Sequence, residues 1–278
     1  MKTPANKKKL KDRLKNHGFL FTDTNEVVLM GDAALLFDEW GRRLSRLFAE
    51  YKPVLIRTPL FFGEGDARDS GYLEHFPSQL YLVRSLRAKR TSAPRSFISP
   101  AACLHCYPML KNNILQKTQS YLVSARCGRY ENNLHQFPFR ASGFHMLEFV
   151  MLGKAERLSD PRLKIKKLIE KEFARHNISG DFAVATDAFF LGESEGAKVM
   201  QKLKGLKEEF QLLFDSERVA LASINNHESY FAERFGIRTA PKQVASSFCV
   251  AFGLERIVAA SILTWKNETI ANFIHRTL

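Results

Sequence analysis

Two strand-like stretches separated by a polar loop place the strongest constraint on how this chain folds. Residues 120–130 and 144–153 are rich in apolar, β-branched and aromatic residues, whereas residues 131–143 between them are mainly polar. Stretches of this kind pair as an antiparallel hairpin, and residues two apart on a strand share one face. We therefore expect a long hairpin with chemically distinct faces.

Other patterns along the chain indicate the fold class. Apolar residues at helical spacing predict helices over 32–51, 159–178 and 253–265. Strand patterns cover 52–62, 181–190, 218–227 and 242–252, and residues 196–214 fit either a helix or a pair of strands. Because strands outnumber crossover helices, we expect an α+β domain built on a mostly antiparallel sheet flanked by helices.

The charge balance indicates the kind of partner. Lys and Arg total 42 against 29 Asp and Glu in 278 residues, a formal net charge of +13. This balance favours nucleic acid, a phosphate-rich substrate or an acidic protein surface, although a basic surface used only for solubility is the alternative. The chain contains no apolar run long enough to span a membrane, and no apolar segment follows the basic N-terminus. We expect a cytoplasmic protein with free thiols.

The end of the first strand carries a cation and a carboxylate. Arg129 and Glu131 lie two residues apart, so both side chains point to one face. Such a pair can hold a phosphate and an amine, respectively. A cross-strand ion pair without a ligand is the structural alternative.

A glycine turn supplies a second arginine. Gly253 lets a strand turn sharply into a helix, and Arg256 lies in the first turn of that helix. Because the N-terminal end of a helix dipole attracts anions, this arrangement is suited to holding phosphate. Ordinary solvation of the helix is the alternative.

Taken together, an ordered set of segments carries a resemblance. The segments are GYLEHFP (71–77), SPAAC (99–103), CGRYE (127–131), HMLEFV (145–150), ATDAFF (185–190), ASINNH (222–227) and FCVAFGLERI (248–257). This set resembles motifs 2 and 3 of class II aminoacyl-tRNA synthetases. It resembles more closely the amino acid:[carrier protein] ligases, truncated relatives of the atypical archaeal seryl-tRNA synthetases. The resemblance implies a class II synthetase-like catalytic domain over 31–278, with a small helical insertion near 155–180, after a basic extension over 1–30.

The resemblance also implies a zinc site. Family members bind catalytic zinc through Cys, Glu and Cys, which match Cys103, Glu148 and Cys249. This assignment explains a carboxylate inside the apolar run MLEFVML, where an unpaired charge is costly. As alternatives, Cys103 belongs to the local sequence C-L-H-C, with His105 and Cys106, as half of a zinc ribbon, and Cys127 is a packed strand thiol.

Roles at the nucleotide and amino-acid sites are implied in the same way. By resemblance, Arg129 contacts the α-phosphate of ATP and Glu131 accepts a hydrogen bond from the adenine amine. Arg140 reaches the β- and γ-phosphates, and Arg256 the γ-phosphate. Ser223 and Asn225 lie near the amino-acid pocket, whereas polar packing is the simpler role for the neighbouring His227.

Three segments depart from the family pattern. Residues 187–190 read Asp-Ala-Phe-Phe where the family has Asp-Pro-Phe-Phe, and residues 225–227 read Asn-Asn-His in place of Asn-Tyr-His. The segment 245–248 also differs from the usual small polar set. Because the implied nucleotide and zinc residues are present, we expect an active enzyme whose amino acid is not identified by the resemblance.

The implied reaction is the ATP-dependent formation of an aminoacyl-AMP, with ATP, Mg²⁺ and Zn²⁺, from a small amino acid. The acyl group then passes to the phosphopantetheine thiol of an acidic carrier protein. We expect a homodimer that does not act on tRNA. The alternatives are an enzyme that transfers the aminoacyl group to tRNA and a catalytically silent, synthetase-like regulatory subunit.

Two basic segments are candidates for docking the carrier. Residues 84–95 supply Arg84, Arg87, Lys89, Arg90 and Arg95, and residues 161–175 supply Arg162, Lys164, Lys166, Lys167 and Lys171. Either segment could hold an acidic helix beside the active-site entrance. For each, a solvated charge run is the alternative.

Overall fold

The computed structural model describes residues 4–86, 95–130, 139–185, 206–214 and 217–275. The helices are α1 (Pro4–Asn16), α2 (Asp32–Arg46), α3 (Glu64–Asp69), α4 (Tyr72–His75), α5 (Cys106–Met109), α6 (Ser159–Arg175), α7 (Tyr230–Phe235), α8 (Leu254–Thr264) and α9 (Asn267–His275). The strands are β1 (Phe19–Phe21), β2 (Val27–Leu29), β3 (Val54–Arg57), β4 (Phe61–Gly63), β5 (Leu82–Val83), β6 (Ser96–Ile98), β7 (Ile114–Leu115), β8 (Gln119–Gly128), β9 (Gly143–Gly153), β10 (Gly180–Val184), β11 (Lys207–Phe214), β12 (Glu217–Glu228), β13 (Arg238–Thr239), β14 (Gln243–Val244) and β15 (Ser246–Gly253).

The largest sheet has seven strands in the order β10-β11-β12-β15-β9-β8-β3. Neighbouring strands in it are antiparallel except β3 and β8, which are parallel. Helices cover one face of this sheet, and part of the other face is covered by short helices. The predicted α+β class with a mostly antiparallel sheet is confirmed.

The predicted hairpin forms as β8 and β9. These strands pair antiparallel from Gln119 opposite Leu152 to Gly128 opposite Gly143. Residues 131–138, which include the implied adenine-binding Glu131, lie outside the described residues. The hairpin brings β8, which ends directly before Arg129, beside β9, which carries Glu148.

The other predicted elements form with shifted ends. The helix predicted over 32–51 ends at Arg46, and a separate 3₁₀ turn covers Ala49–Tyr51 before Lys52, whose φ of 46° is left-handed. Over the described part of 196–214 the chain forms strand β11. The strand predicted over 181–190 is described as β10, to Val184, and residues 186–190 lie outside the described residues.

Alternation along β9 divides the core between the two faces of the sheet. Phe149 stacks on Phe48, with ring centroids 4.4 Å apart, in the core beneath α2, α6, α8 and α9. Val150 points the other way, into a second core that includes Tyr107 of α5 and Phe231 of α7. Since Glu148 shares the parity of Val150, its side chain lies on the second face. That face carries the candidate site.

The N-terminal residues pack on the first of these cores, beneath α2, α6, α8 and α9. Leu14 of α1 and Phe19 of β1 are both buried against it. Arg13 donates from Nε to the carbonyl oxygen of Ile262 (2.6 Å) and from Nη2 to that of Trp265, at the end of α8. A cation is favourable there because the last carbonyls of a helix lack helical partners.

The domain bounds 1–30, 31–278 and 155–180 remain predictions, although α6 falls within the last range.

Among the described helices, none has the length and apolar character needed to cross a lipid bilayer.

Candidate active site

The structure brings the three predicted metal ligands together. The Sγ atoms of Cys103 and Cys249 and a carboxylate oxygen of Glu148 all lie within 4.8 Å of one another, and all three residues are buried. The strand register causes part of this arrangement, because Ala251 of β15 opposes Glu148 and places Cys249 on the same face. Cys103 lies at the start of the 3₁₀ turn Cys103–His105.

Neighbouring groups hold two of these side chains in place. The backbone N–H of Ala102 donates to Glu148 Oε1 (2.9 Å), and Asn225 Nδ2 donates to Cys249 Sγ (3.3 Å). Partners of this kind orient a ligand before a metal binds. Asn225, expected near the amino-acid pocket, therefore also contacts the predicted metal site.

The electrostatics of the cluster favour a cation. Burial raises the pKa of Glu148, and a hydrogen bond with Cys249, followed by burial, raises the pKa of Cys103 well above its usual range. A divalent metal reverses both effects by stabilising the deprotonated ligands. Two thiols and one carboxylate are ligands that zinc accepts, and a catalytic zinc site uses three protein ligands. The donor set therefore fits zinc.

The alternative pairing within C-L-H-C is less well supported. His105 Nε2 is hydrogen-bonded to Ser99 Oγ at 2.9 Å, and burial lowers the pKa of this imidazole to about 4. Burial also raises the pKa of the Cys106 thiol well above its usual range. Cys127 is likewise buried in β8, and burial raises its pKa. Both thiols have the properties of packed core cysteines.

One cavity of about 530 Å³ connects this cluster to the predicted phosphate-binding side chains. The predicted site residues that line it are Arg129, Arg140, Glu148, Ser223, Asn225, Cys249 and Arg256. Ser223 and Asn225 share a face of β12, and Asn225 Nδ2 donates to Ser223 Oγ (3.2 Å). The predicted phosphate-binding arginines and two residues of the cluster, Glu148 and Cys249, thus border the same cavity.

Backbone carbonyls anchor both predicted phosphate-binding arginines. Arg129 donates from Nε to the Pro100 carbonyl oxygen (2.8 Å), and its guanidinium lies over the Phe144 ring at 5.3 Å. Arg256, in the first turn of α8, donates to the carbonyl oxygens of Phe139 (2.8 Å) and Ala220 (2.7 Å). These contacts fix the planes of both guanidinium groups in the cavity wall, where the α8 dipole adds positive potential.

Five charged residues of the cavity wall were not assigned from the sequence: Lys207, Glu209, Glu217, Arg218 and Glu255. Glu255 accepts hydrogen bonds from the His145 backbone N–H (2.9 and 2.8 Å) and from His145 Nδ1 (2.5 Å). Lys207 pairs with Glu209 at 3.1 Å, and both line the cavity. Lys207 and Glu209 lie two apart on β11, so alternation placed both on one face of the strand but did not show that this face lines the cavity.

His227 lies behind the site and not in it. Its Nδ1 is within hydrogen-bonding distance of Tyr107 Oη (2.9 Å) and Ser247 Oγ (3.2 Å), and burial lowers its pKa to about 3. This environment suits the polar packing expected from the sequence.

Glu131 and residues 187–190 lie outside the described residues.

Comparison with known proteins identifies a family and two relatives that this chain resembles in sequence. Residues 87–264 match the family model of the tRNA synthetase class II core domain (G, H, P, S and T). The chain is 26% identical to amino acid--[acyl-carrier-protein] ligase 1 of Bradyrhizobium diazoefficiens, over 82% of this chain and 78% of that protein. It is 28% identical to ligase 2 of the same organism, over 88% and 80%, respectively. The predicted resemblance is therefore confirmed.

Solved structures show the same fold at low sequence identity. M. kandleri SerRS, in complex with A. aeolicus tRNASec, has a TM-score of 0.82 at 14% identity, over 97% of this chain and 60% of that one. Giardia lamblia prolyl-tRNA synthetase, in complex with prolyl-adenylate, has a TM-score of 0.75 at 14% identity, over 93% and 53%. This chain thus spans little more than half the length of these synthetases. It belongs to the family of class II tRNA synthetase core domains.

Proposed function

We propose that this protein uses ATP to activate a small amino acid as its aminoacyl-AMP, and then transfers the aminoacyl group to the phosphopantetheine thiol of an acidic carrier protein. The observation that carries the proposal is the single cavity that joins Arg129 and Arg256 to the Cys103–Glu148–Cys249 cluster. The two curated relatives are named as amino acid--[acyl-carrier-protein] ligases, which supports the same reaction.

In the first step, a carboxylate oxygen of the amino acid attacks the α-phosphorus of ATP. A new P–O bond forms, the bond to the β-phosphate bridging oxygen breaks, and pyrophosphate leaves with the electron pair. Arg129 is proposed to hold the α-phosphate, Arg140 the β- and γ-phosphates and Arg256 the γ-phosphate, while Glu131 accepts from the adenine amine. Catalysis then depends on positioning and on stabilising negative charge.

Two metals are proposed for the reaction, zinc bound by the protein and Mg²⁺ bound with ATP. Cys103, Glu148 and Cys249 would hold zinc, which supplies a site for the α-amino group when bound. Asn225 steadies Cys249 and, with Ser223, borders the amino acid. Mg²⁺ is proposed to enter with the ATP phosphates, since hard oxygen ligands suit it.

In the second step, the carrier's thiol attacks the carbonyl carbon of the aminoacyl-AMP. A thioester C–S bond forms, the bond to the phosphate oxygen breaks, AMP leaves and the thiol proton passes to solvent. The anchored guanidinium of Arg129 is proposed to stabilise the AMP phosphate as it departs.

We expect amino-acid-dependent exchange of pyrophosphate into ATP. The test is an exchange panel covering the standard amino acids together with β-amino and D-amino acids. Exchange with one or a few small amino acids, followed by thioester formation on a carrier protein, supports the proposal. Charging of tRNA with no reaction on the carrier would favour the tRNA enzyme instead, and no exchange with any amino acid would favour the silent subunit.

The two basic segments proposed to dock the carrier differ in how much of each is described. On α6, Lys164 pairs with Glu50 (2.6 Å) and Lys166 pairs with Glu208, whereas Lys167 and Lys171 are exposed. In the other basic segment, residues 87–94 lie outside the described residues. The α6 pair is thus the better-defined candidate for an acidic helix.

Reversing these charges is expected to slow acyl transfer while leaving adenylation nearly intact. Electrostatic docking mainly raises the association rate and weakens with salt. The variants are Lys167→Glu/Lys171→Glu on α6 and Arg84→Glu/Arg95→Glu on the other segment, with Lys8→Glu/Lys11→Glu on α1 as a charge-matched control. Thioester formation and pyrophosphate exchange are measured at low and moderate salt. Unchanged transfer in both segment variants means that neither surface docks the carrier.

A further inference from the structure

The hairpin formed by β1 and β2 lies outside the matched core of residues 87–264 but lines the same cavity. Phe19 of β1 and Val27 of β2 are both in the cavity wall. Val27 is partly buried, whereas its neighbour Val28 is 50% exposed and points away. One face of a short N-terminal hairpin is therefore part of the candidate active site.

The hairpin approaches the cavity at the end remote from the cysteine cluster. The backbone N–H of Ser142 donates to the Asn25 carbonyl oxygen at 3.0 Å. A Cβ at Gly143 would lie 2.1 Å from Glu26 Oε1, so the Glu26 carboxylate packs directly against this glycine. Gly143 and Glu148 are five residues apart on β9, which is about 17 Å along a strand. With the amino group at Glu148, the hairpin end is left for the nucleotide.

The same hairpin also contacts residues on either side of Arg129, which is proposed to hold the α-phosphate. Arg126, near the end of β8, donates from Nη2 to Glu26 Oε1 (3.1 Å). Ser142, held by Asn25, accepts from the Arg129 backbone N–H at 3.0 Å. The contacts connect the hairpin to Arg129 through one intervening residue.

We infer that the β1–β2 hairpin is a wall of the nucleotide site, in which Val27 contacts the nucleoside of ATP and Asn25 and Glu26 act as positioning residues for Arg129. The inference rests on the proposed function, because it takes ATP as the nucleotide. It adds to the matched core an N-terminal element that contributes directly to nucleotide affinity.

The test measures Mg²⁺–ATP binding directly by calorimetry and then the KM values for ATP and amino acid in pyrophosphate exchange. Val27→Ala removes two methyl groups from a half-buried contact, so ATP should bind about fivefold more weakly. The KM for the amino acid should change by less than about twofold on the same scale. Val28→Ala, on the outer face, is the matched control, and Val27→Thr keeps the shape of the side chain if the alanine variant does not fold. Glu26→Ala should raise the KM for ATP in the same selective way.

Two results would overturn the inference. One is ATP affinity unchanged in both Val27 variants, alongside normal exchange, which leaves the proposed function intact. The other is an equal loss in Val27→Ala and Val28→Ala with a matching fall in thermal stability, which indicates a purely structural hairpin. If the wild-type protein binds ATP but exchanges no pyrophosphate, the proposed function fails, and a selective loss of ATP binding in Val27→Ala still supports the inference.

Discussion

Cys249→Ala is expected to remove zinc and to abolish amino-acid activation together. The wild-type protein should contain about one zinc per chain, as a single three-ligand catalytic site requires. Cys249 lies within the 4.8 Å cluster, and its sulfur also accepts the Asn225 hydrogen bond. Without this thiolate, Cys103 and Glu148 remain as two ligands, too few for a zinc site of this class. Zinc content by mass spectrometry and pyrophosphate exchange are measured on the same preparations.

The two other described thiols near the site provide matched controls. Cys106→Ala and Cys127→Ala each remove a buried sulfur from the same core, so the packing loss resembles that at Cys249. Both variants should retain zinc and exchange activity. Chelation of the wild-type protein should reproduce the Cys249→Ala phenotype, and added zinc should reverse it. Full zinc content and activity in Cys249→Ala would contradict the assignment of Cys103, Glu148 and Cys249.

The second large effect is expected at the arginines. Arg129→Ala and Arg256→Ala should each lower the rate of pyrophosphate exchange by about a hundredfold to a thousandfold, or about 3–4 kcal/mol of transition-state stabilisation. Each guanidinium is held by a backbone carbonyl, so the loss removes a charge that is already positioned. Arg129→Lys should also be poor, because a lysine lacks the planar fork that binds phosphate through two hydrogen bonds.

An exposed arginine distinguishes this effect from a change in net charge. Arg238→Ala removes the same charge on β13, away from the residues that line the cavity, and should leave exchange unchanged. The thermal unfolding of all variants is compared, since Arg129 and Arg256 also tie together backbone segments. Normal exchange in Arg129→Ala or Arg256→Ala, with folded protein, would reject the phosphate-binding role of that residue.

Local patterns were sufficient for most of the secondary structure. Two stretches rich in apolar, β-branched and aromatic residues, separated by a polar loop, predicted β8 and β9 as a hairpin, and the glycine turn predicted α8. The end of α2 shifted where the backbone left the helical region, at Phe48, whose φ is −104° and ψ 4°. These features depend on residues close together in the sequence, so a sequence pattern contains the needed information.

By itself, the sequence determined the candidate site residues. Cys103, Glu148, Cys249 and the two arginines occur in an ordered set of motifs. Only the tertiary structure decided how they meet. Whether β9 and β15, which are far apart in the sequence, lie side by side depends on register and packing across the whole core, which a local period does not encode. For the same reason, the cavity-lining Lys207 and the N-terminal β1–β2 hairpin emerged only from the fold. Their positions depend on long-range contacts that form after the sheet is assembled.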